Sequence, residues 1–427
     1  MAKAPPEQPT SLLVILAGLV GNMMEWFDFA VYGNFAIIIG TLFFPSTDPR
    51  VSLIASFGAF AAGFLARPLG GIVFGRMGDV FGRQTAMLVS ICAMSLPTIA
   101  ISILPGFEQW GIWAPACLIT LRIIQGLSVG GEYTSSLVFL AERSGRGHRA
   151  RNSVWGLWGA VFGMLLGSLL ALGLASLAGE DAMKAWGWRA LFATGGVVAL
   201  AGILIRRLLP PEINHSKTDA PITELLRDHK RGLVYLFLIN VGGAAAFYTV
   251  MVYAVTYVRT MNTFDRVGAL QLNIFAMALM LAGLPVAAWM ADRFGLRRVL
   301  VWGLAFSAVA SLVLFQGLVS QQVAVVYLAE AVFACIVALL LAGLVSYNVD
   351  VLPRHVRCTG LAIAYNAAVG LFGGITPMMA TWLIDQTGDK TAPAYWLSAA
   401  LAVSLGAVLL HRSADEDRAH SKAMARH

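Results

Sequence analysis

The chain is a succession of long apolar runs separated by short polar breaks. Each run is close to or longer than the roughly 20 residues that a helix needs to cross the hydrocarbon core of a bilayer. The pattern therefore predicts transmembrane helices, and their even number places both termini on the same side of the membrane. The twelve predicted spans cover residues 11–41, 51–75, 85–104, 110–141, 152–178, 189–209, 232–259, 267–291, 298–319, 323–348, 358–385 and 394–411.

The composition indicates a membrane protein rather than a soluble one. Hydrophobic residues make up 58% of the 427 residues and charged residues only 12%, whereas soluble domains carry roughly 25% charged residues. The net charge of +7 has a topological explanation. Most Lys and Arg residues, among them Arg206, fall in breaks on one side of the predicted membrane. Because such residues are retained in cytoplasmic loops, the asymmetry predicts cytoplasmic termini and requires no nucleic-acid partner.

The longest polar break divides the chain into two halves. The division predicts an N-terminal six-helix bundle over 1–209, a cytoplasmic linker over 210–231, a C-terminal six-helix bundle over 232–412 and a cytoplasmic tail over 413–427. The Pro210-Pro211 pair favours a linker. A short surface helix is expected within it, near residues 222–228.

The two halves share two loop motifs in which an acid precedes arginines. An Asp-x-x-Gly core recurs after the second and eighth spans, and an acid seven residues before an arginine recurs after the fourth and tenth. Such groups at helix ends can form ion pairs in one conformation and lose them in another, so we expect conformational latches; ordinary capped turns are the alternative. The predicted latch and gating residues are Arg67, Asp79, Arg83, Glu142, Arg149, Asp292, Arg297, Arg298, Asp350 and Arg357.

A stripe of small residues occupies one face of the fifth predicted helix. Gly159, Gly163 and Gly167 recur every four residues. Such a stripe lets two helix backbones approach closely. We therefore expect another helix to pack against this face.

Polar residues within the first predicted helix lie along one face. Asn22, Glu25, Asp28 and Tyr32 follow one another at spacings of three or four residues, which bring side chains to the same side of a helix. Ionisable side chains are costly inside a membrane. This face is therefore predicted to point into the protein and to have a function.

The fourth predicted helix supplies the complementary charge. It runs in the opposite direction, and at 1.5 Å per residue Arg122 reaches a depth similar to that of Asp28. We expect Arg122 to pair with Asp28 or Glu25 across a water-filled cavity, and protonation of the acid to alter the pairing. Glu132 lies deeper toward the cytoplasm, where it is expected to act in gating or helix packing, with Arg67 as a candidate partner.

Proton coupling would have to use carboxylates, because no histidine falls near the middle of a predicted span. Glu25, Asp28 and Glu132 are the proton-coupling candidates, and a purely structural pair with Arg122 is the alternative. Glu330 lies inside the tenth span near its outer end. It is expected to snorkel to the interface, with a proton-carrying role as the alternative.

The sequence also suggests residues that could bind a polar solute. A lone buried arginine suits a carboxylate, because its planar fork donates two parallel hydrogen bonds. Tyrosines and amides of the second half could supply further hydrogen bonds, although many such tyrosines serve packing. The predicted substrate-binding residues are Arg122, Gln125, Asn22, Tyr32, Tyr248, Tyr365 and Asn366.

Four stretches, residues 21–33, 67–71, 125–133 and 359–366, resemble the metabolite:proton symporters of the major facilitator superfamily. That family includes carriers of proline and glycine betaine, alpha-ketoglutarate, citrate and shikimate. The resemblance covers essentially the whole chain. It implies an all-α integral membrane protein of the major facilitator fold, with twelve transmembrane helices in two six-helix bundles, located in a bacterial inner membrane.

These observations lead to an expectation of function. We expect a proton-coupled symporter that takes up a small organic acid, such as a di- or tricarboxylate, by alternating access; a zwitterionic osmolyte such as proline or glycine betaine is the alternative substrate. The expected partners are the substrate, protons and the lipid bilayer, and the expected state is a monomer. The sequence has no His-Glu-x-x-His or phosphate-loop motif. It therefore predicts no enzyme activity, no metal or other cofactor and no ATP drive.

Overall fold

The computed structural model describes residues 12–142, 149–208, 221–262, 264 and 266–410. All the secondary structure within these ranges is helical. Among the described residues, ten helices are long and apolar enough by length and composition to cross a membrane. The chain divides into two compact units, Met1–Ile222 and Thr223–His427.

The first unit is built from six long helices and one short one. The short helix α4 precedes α5 at the end of a loop, and an exposed helix α8 begins at the boundary between the units. The helices are α1 Leu12–Phe43, α2 Pro49–Val80, α3 Arg83–Ile103, α4 Phe107–Trp110, α5 Trp113–Glu142, α6 Arg149–Ala182, α7 Trp188–Arg207 and α8 Pro221–Asp228.

The second unit repeats this plan with two interrupted helices. Short π-helical turns, Thr249–Tyr253 and Val369–Gly373, separate α9 from α10 and α14 from α15. A third, Met183–Gly187, separates α6 from α7 in the first unit. The helices are α9 Lys230–Tyr248, α10 Ala254–Met261, α11 Arg266–Phe294, α12 Leu296–Leu318, α13 Val323–Asn348, α14 Arg357–Ala368, α15 Thr376–Thr387 and α16 Pro393–Leu410.

Each predicted span corresponds to a membrane-length helical segment, so the all-α twelve-helix prediction is confirmed. The seventh and eleventh spans each contain a π-helical turn that the hydrophobic pattern did not reveal. The predicted tail 413–427 and residues 210–220 of the predicted linker lie outside the described residues. The short helix expected near 222–228 is present as α8.

Glycines bring helix backbones into contact in the first unit. A Cβ atom added to Gly163 would overlap the carbonyl oxygen of Met23, which is the close approach of α6 to α1 that the glycine stripe predicted. The contact of α2 with α5 is equally close, since a Cβ on Gly126 would overlap the carbonyl oxygen of Gly63. These contacts hold α1 against α6 and α5 against α2. The helices α1 and α5 carry the predicted pair Asp28 and Arg122.

Candidate functional site

A buried ion pair joins α1 to α5. The Nη1 atom of Arg122 lies 2.6 Å from the Oδ2 atom of Asp28, and the two side chains are 1% and 0% exposed. The pairing expected from their similar depth is therefore present. Because both charges have left water, the pair can be stable only if the surrounding groups satisfy it further.

Asp28 receives that further support from α3 and α5. Thr98 Oγ1 lies 3.0 Å and Gln125 Nε2 lies 3.1 Å from Asp28 Oδ1. Gln125 Nε2 is also 2.7 Å from Thr98 Oγ1. Three helices thus meet at one carboxylate, and this includes Gln125, which the sequence placed among the binding candidates.

Only part of the guanidinium group of Arg122 is hydrogen-bonded among the described residues. Its Cζ atom lies 4.0 Å from the centre of the Tyr32 ring and 5.4 Å from that of Phe192. Among the described residues, neither Nε nor Nη2 of Arg122 has a hydrogen-bond acceptor. Tyr32 is held in place by donating its hydroxyl hydrogen to the carbonyl oxygen of Ser56, at 2.8 Å. The arrangement leaves two buried donors able to receive an anionic oxygen.

Glu25 lies close to one helical turn before Asp28 on α1 and is also buried. Neither of its carboxylate oxygens accepts a hydrogen bond within the part of the chain that the structure describes. Arg67 of α2 is fully buried and acts on Glu25 electrostatically. The guanidinium of Arg67 lies 5.3 Å from the Phe64 ring centre. Glu25 is thus a buried carboxylate with a cation in its electrostatic environment.

Glu132 forms a second buried ion pair, with a partner that the sequence analysis did not consider. Both guanidinium nitrogens of Arg206 contact the Glu132 carboxylate, with Nη1 at 3.1 Å from Oε2. Ser90 donates to the same carboxylate. The expectation that Arg206 is a loop cation is therefore wrong, because it lies at the end of α7 and is fully buried. Arg206, rather than the suggested Arg67, is the ion-pair partner that the structure gives to Glu132.

Asn22 connects α1 to α5 by a neutral contact. Its Nδ2 atom lies 2.7 Å from Ser136 Oγ and 3.0 Å from the carbonyl oxygen of Gly18. Within the described residues its Oδ1 atom has no donor. The polar face predicted for α1 therefore points into the unit along its whole length.

The first predicted latch pair flanks the turn between α2 and α3, with Asp79 in α2 and Arg83 in α3. Arg83 Nη1 lies 2.9 Å from Asp79 Oδ1, and both residues are buried. Gly82 adopts a φ of 98°, a conformation that favours glycine, and so turns the chain between them. Glu142 ends α5 and Arg149 begins α6, on either side of residues 143–148, which lie outside the described residues.

The corresponding arginines of the second unit bind backbone oxygens. Arg297 Nη2 donates to the carbonyl oxygen of Leu409 at 3.2 Å, and Arg357 Nε donates to that of Leu352 at 3.3 Å. Asp292 is half-buried, whereas Arg298 and Asp350 are exposed. Whether these groups act as latches stays a prediction.

The predicted ligands of the second unit lie in and near its interrupted helices. Tyr248 is buried at the end of α9, and Tyr365 is half-buried in α14. Asn366 is buried and donates to the carbonyl oxygen of Ala362 at 2.8 Å.

A feature that the sequence analysis missed is a reciprocal amide pair between Asn240 and Asn348. Each side-chain amide donates to the other at 2.9 Å. The pair joins α9 to the end of α13. Two isolated asparagines in apolar runs are the only sequence signal for it, and their partnership depends on the tertiary fold.

The expectation that Glu330 snorkels is wrong. The residue is fully buried in α13. Neither carboxylate oxygen has a hydrogen-bond partner among the residues that the structure describes. α13 packs against α11 and α12, and the Glu330 side chain faces protein where the sequence pattern suggested an interface.

Comparison with known proteins agrees with this architecture. Residues 13–212 match the family described as sugar (and other) transporter, and residues 267–426 match the Major Facilitator Superfamily. In overall fold the chain is similar to the proton:xylose symporter XylE, with a TM-score of 0.77 at 16% identity over 93% of this chain and 94% of that one. It is also similar to FucP in the outward conformation, with a TM-score of 0.69 at 14% identity over 93% and 98%.

Relatives with higher identity have names that state what they carry. The chain is 32% identical to the glycine betaine/proline/ectoine/pipecolic acid transporter OusA of Dickeya dadantii, over 92% of this chain and 81% of that protein. It is 31% identical to the proline/betaine transporter of Escherichia coli, with the same coverage. The expected family resemblance is thereby confirmed. The chain belongs to the major facilitator superfamily of multi-pass membrane transporters, as a relative of bacterial proline/betaine transporters.

Proposed function

We propose that this protein is a proton-coupled symporter of a zwitterionic osmolyte such as proline or glycine betaine. The names of the relatives favour this substrate over the di- or tricarboxylate that the sequence alone placed first. One observation carries the mechanism. Arg122 is buried beside Asp28, and its Nε and Nη2 atoms have no hydrogen-bond acceptor among the described residues.

Arg122 is proposed to anchor the carboxylate of the substrate. Buried donors without acceptors cost free energy, so an arriving carboxylate that bonds to Nε and Nη2 gains more than it would at an exposed arginine. A guanidinium fork matches the two oxygens of a carboxylate in its own plane. Proline and glycine betaine each carry one carboxylate, so a single arginine suffices.

Aromatic rings beside Arg122 are proposed to receive the cationic end. The ring of Tyr32 is stacked on that of Phe60, with 5.4 Å between their centres, and Phe29 meets Phe60 edge to face at 5.5 Å. Aromatic faces attract substituted ammonium groups, which have few or no hydrogen-bond donors of their own. A dicarboxylate would instead need a second cation in the same place.

Proton coupling is proposed to arise from competition for Arg122. The carboxylates of Asp28 and of the substrate both fit the same guanidinium group. Protonation of Asp28 removes its charge and lets the substrate carboxylate take over Arg122, so that substrate and proton are bound together. Glu25 is the second candidate, because its oxygens accept no hydrogen bond among the described residues and it could take up a proton without breaking one.

The proposal extends to the setting in which the carrier works. The excess of Lys and Arg on one side of the predicted spans supports cytoplasmic termini and insertion in a bacterial inner membrane. Alternating access of the two units, with the repeated pattern of acid and arginine at their helix ends as latches, would move the substrate across. The proposed carrier works as a monomer.

Uptake by proteoliposomes tests the proposed function. The purified full-length chain is reconstituted, and uptake of labelled glycine betaine, proline, citrate and alpha-ketoglutarate is measured with and without an imposed pH gradient, acid outside. We expect accumulation of betaine or proline that rises severalfold with the gradient. Accumulation of the carboxylates alone would overturn the substrate, and uptake indifferent to the gradient would overturn the coupling.

Substitutions separate the roles of the charged residues. Asp28→Asn should retain exchange of labelled for unlabelled substrate but lose gradient-driven accumulation, and Arg122→Ala should lose substrate binding in a thermal-shift assay. Arg227→Ala removes an exposed arginine far from the pair in sequence and serves as the control. Gradient-driven accumulation that survives in Asp28→Asn and fails in Glu25→Gln would assign the proton to Glu25.

A further inference from the structure

Three metal-ligating side chains meet at α8. Glu224 Oε1 lies 2.6 Å from His355 Nε2 and 3.9 Å from His229 Nε2. The potential ligand atoms of all three residues lie within 4.8 Å of one another. They belong to the second unit and take no part in the candidate transport site of the first.

The surrounding fold holds these side chains in place. Glu224 lies on α8, His229 lies between α8 and α9, and His355 lies in the loop between α13 and α14. Leu225, next to Glu224, is fully buried and packs toward Gly360, where an added Cβ would lie 3.1 Å from its Cδ2 atom. The backbone amide of His229 donates to the carbonyl oxygen of Leu225 at 3.0 Å.

Two charged neighbours of Glu224 on α8, Arg227 and Asp228, pair with each other. Arg227 forms bidentate contacts with the neighbouring Asp228, at 2.9 to 3.1 Å. This leaves Glu224 as the carboxylate directed at the two imidazoles. The three side chains are 28% to 36% exposed, so a bound ion could keep a water molecule as an additional ligand.

We propose that Glu224, His229 and His355 form a binding site for a first-row transition metal ion such as Zn²⁺. Two imidazoles and one carboxylate are a ligand set that zinc accepts, with bonds of roughly 2.0–2.2 Å. Tetrahedral bonds of that length place neighbouring ligand atoms roughly 3.3–3.5 Å apart, and the observed 2.6 and 3.9 Å lie on either side of that spacing. Small rotations of the side chains would therefore complete the site.

A metal ion at this position would attach α8 to the loop between α13 and α14. The predicted latch residue Asp350 lies in that loop, and Arg357 follows it as the first residue of α14. The ion would then hold together segments that are far apart in sequence, and so restrain the loop in which the second unit is expected to change conformation.

Metal titration of the full-length protein tests the site. A protein purified without a histidine tag is titrated with Zn²⁺ by calorimetry, and Co²⁺ is added separately to follow the visible absorption of a protein-bound complex. We expect about one Zn²⁺ per chain, and at least a tenfold weaker affinity in the His229→Gln, His355→Gln double variant. His411→Gln, which removes a histidine from another part of the chain, should bind as the wild type does.

Two outcomes would overturn the site. The first is a wild type that binds no Zn²⁺ at micromolar concentration and gives no protein-bound Co²⁺ spectrum, which would leave Glu224 and His355 as a hydrogen-bonded pair only. The second is binding that the double variant retains in full. The Co²⁺ spectrum is recorded on the wild type, so its absence would overturn the site even if the double variant fails to fold.

Discussion

At the scale of single residues, two of the buried ion pairs that the structure describes in the first unit differ in kind. Arg122 beside Asp28 keeps two nitrogens without acceptors among the described residues. Arg206 beside Glu132 is fully engaged, since its Nε atom also donates to the carbonyl oxygen of Ala17 at 3.1 Å. The first pair keeps donors for a further partner, whereas the second is suited to holding helices together.

The Glu132–Arg206 pair predicts a large effect on stability. Arg206→Ala should lower the free energy of unfolding by roughly 3–5 kcal/mol, because it leaves a buried carboxylate without its cation. Thermal or chemical unfolding in detergent measures the loss. Arg207→Ala removes the neighbouring exposed arginine and should be nearly neutral. Equal stability of the two variants would show that Glu132 does not depend on Arg206.

For the buried carboxylate of Glu330, we expect removal of the charge to preserve or raise stability. Glu330→Gln replaces an ionisable group, which has no hydrogen-bond partner among the described residues, by a neutral one, so we expect a melting temperature at or a few degrees above that of the wild type. Glu108→Gln, at an exposed position, is the matched control and should leave the melting temperature unchanged. A clear fall for Glu330→Gln alone would mean that its negative charge is stabilised by groups outside the described residues.

At the scale of helices, glycine contacts fix the distance between α2 and α5. Gly126 and Gly130 of α5 each face a backbone carbonyl oxygen of α2 without room for a methyl group. Close backbone approach of this kind is typical of helices that pack inside membranes, where association depends on tight contact. It holds α5, the helix that carries Arg122, against α2.

Substitution at these contacts tests their importance. Gly126→Ala should destabilise the protein by roughly 1–3 kcal/mol and shift α5 relative to α2, since backbone atoms cannot move aside as a side chain can. Gly58→Ala, on the other helix of the pair, has no atom within 4 Å of the added Cβ and should be neutral. Unfolding measurements on both variants compare them; a neutral Gly126→Ala would mean that the helices can separate freely.

Helix positions were largely predictable from the sequence, because twelve apolar runs of membrane length leave little freedom. The bounds of α13 agree with the prediction at both ends. The π-helical turn Thr249–Tyr253 was not predictable, because it changes hydrogen bonding within an unbroken apolar run. The Asp28–Arg122 pair followed from helix direction and depth, whereas the partner of Glu132 required knowledge of which helices are neighbours.

At the scale of the whole molecule, the two units have a similar helical plan and different chemistry. In the described part of the chain, the buried ion pairs lie in the first unit, and the second unit offers buried amides, buried tyrosines and one buried carboxylate, Glu330. We therefore expect energy coupling to depend on the first unit and substrate selectivity to involve both. Substrate identity was not predictable from residue types, since one arginine fits the carboxylate of an acid or of a zwitterion.

This division predicts the behaviour of Asn366→Ala. We expect KM for the transported osmolyte to rise about tenfold, while the ratio of uptake with and without a pH gradient stays as in the wild type, because one hydrogen bond to the substrate is worth roughly 1 kcal/mol or somewhat more. Transport kinetics in proteoliposomes measure both quantities. A variant with normal KM would remove Asn366 from the binding site, and one with a lost gradient effect would contradict the division of roles.

The position of Arg206 has a consequence for biosynthesis. Glu132 precedes Arg206 by 74 residues, and domains of a growing chain generally form from the N-terminus onward. After α5 is inserted, Glu132 therefore lacks its ion-pair partner until α7 is inserted. When α7 enters the bilayer, Arg206 finds Glu132 already there. A chain truncated before α7 would contain Glu132 without Arg206 and would be exposed to quality-control proteases. A chain truncated just after α7 would contain both partners of the ion pair.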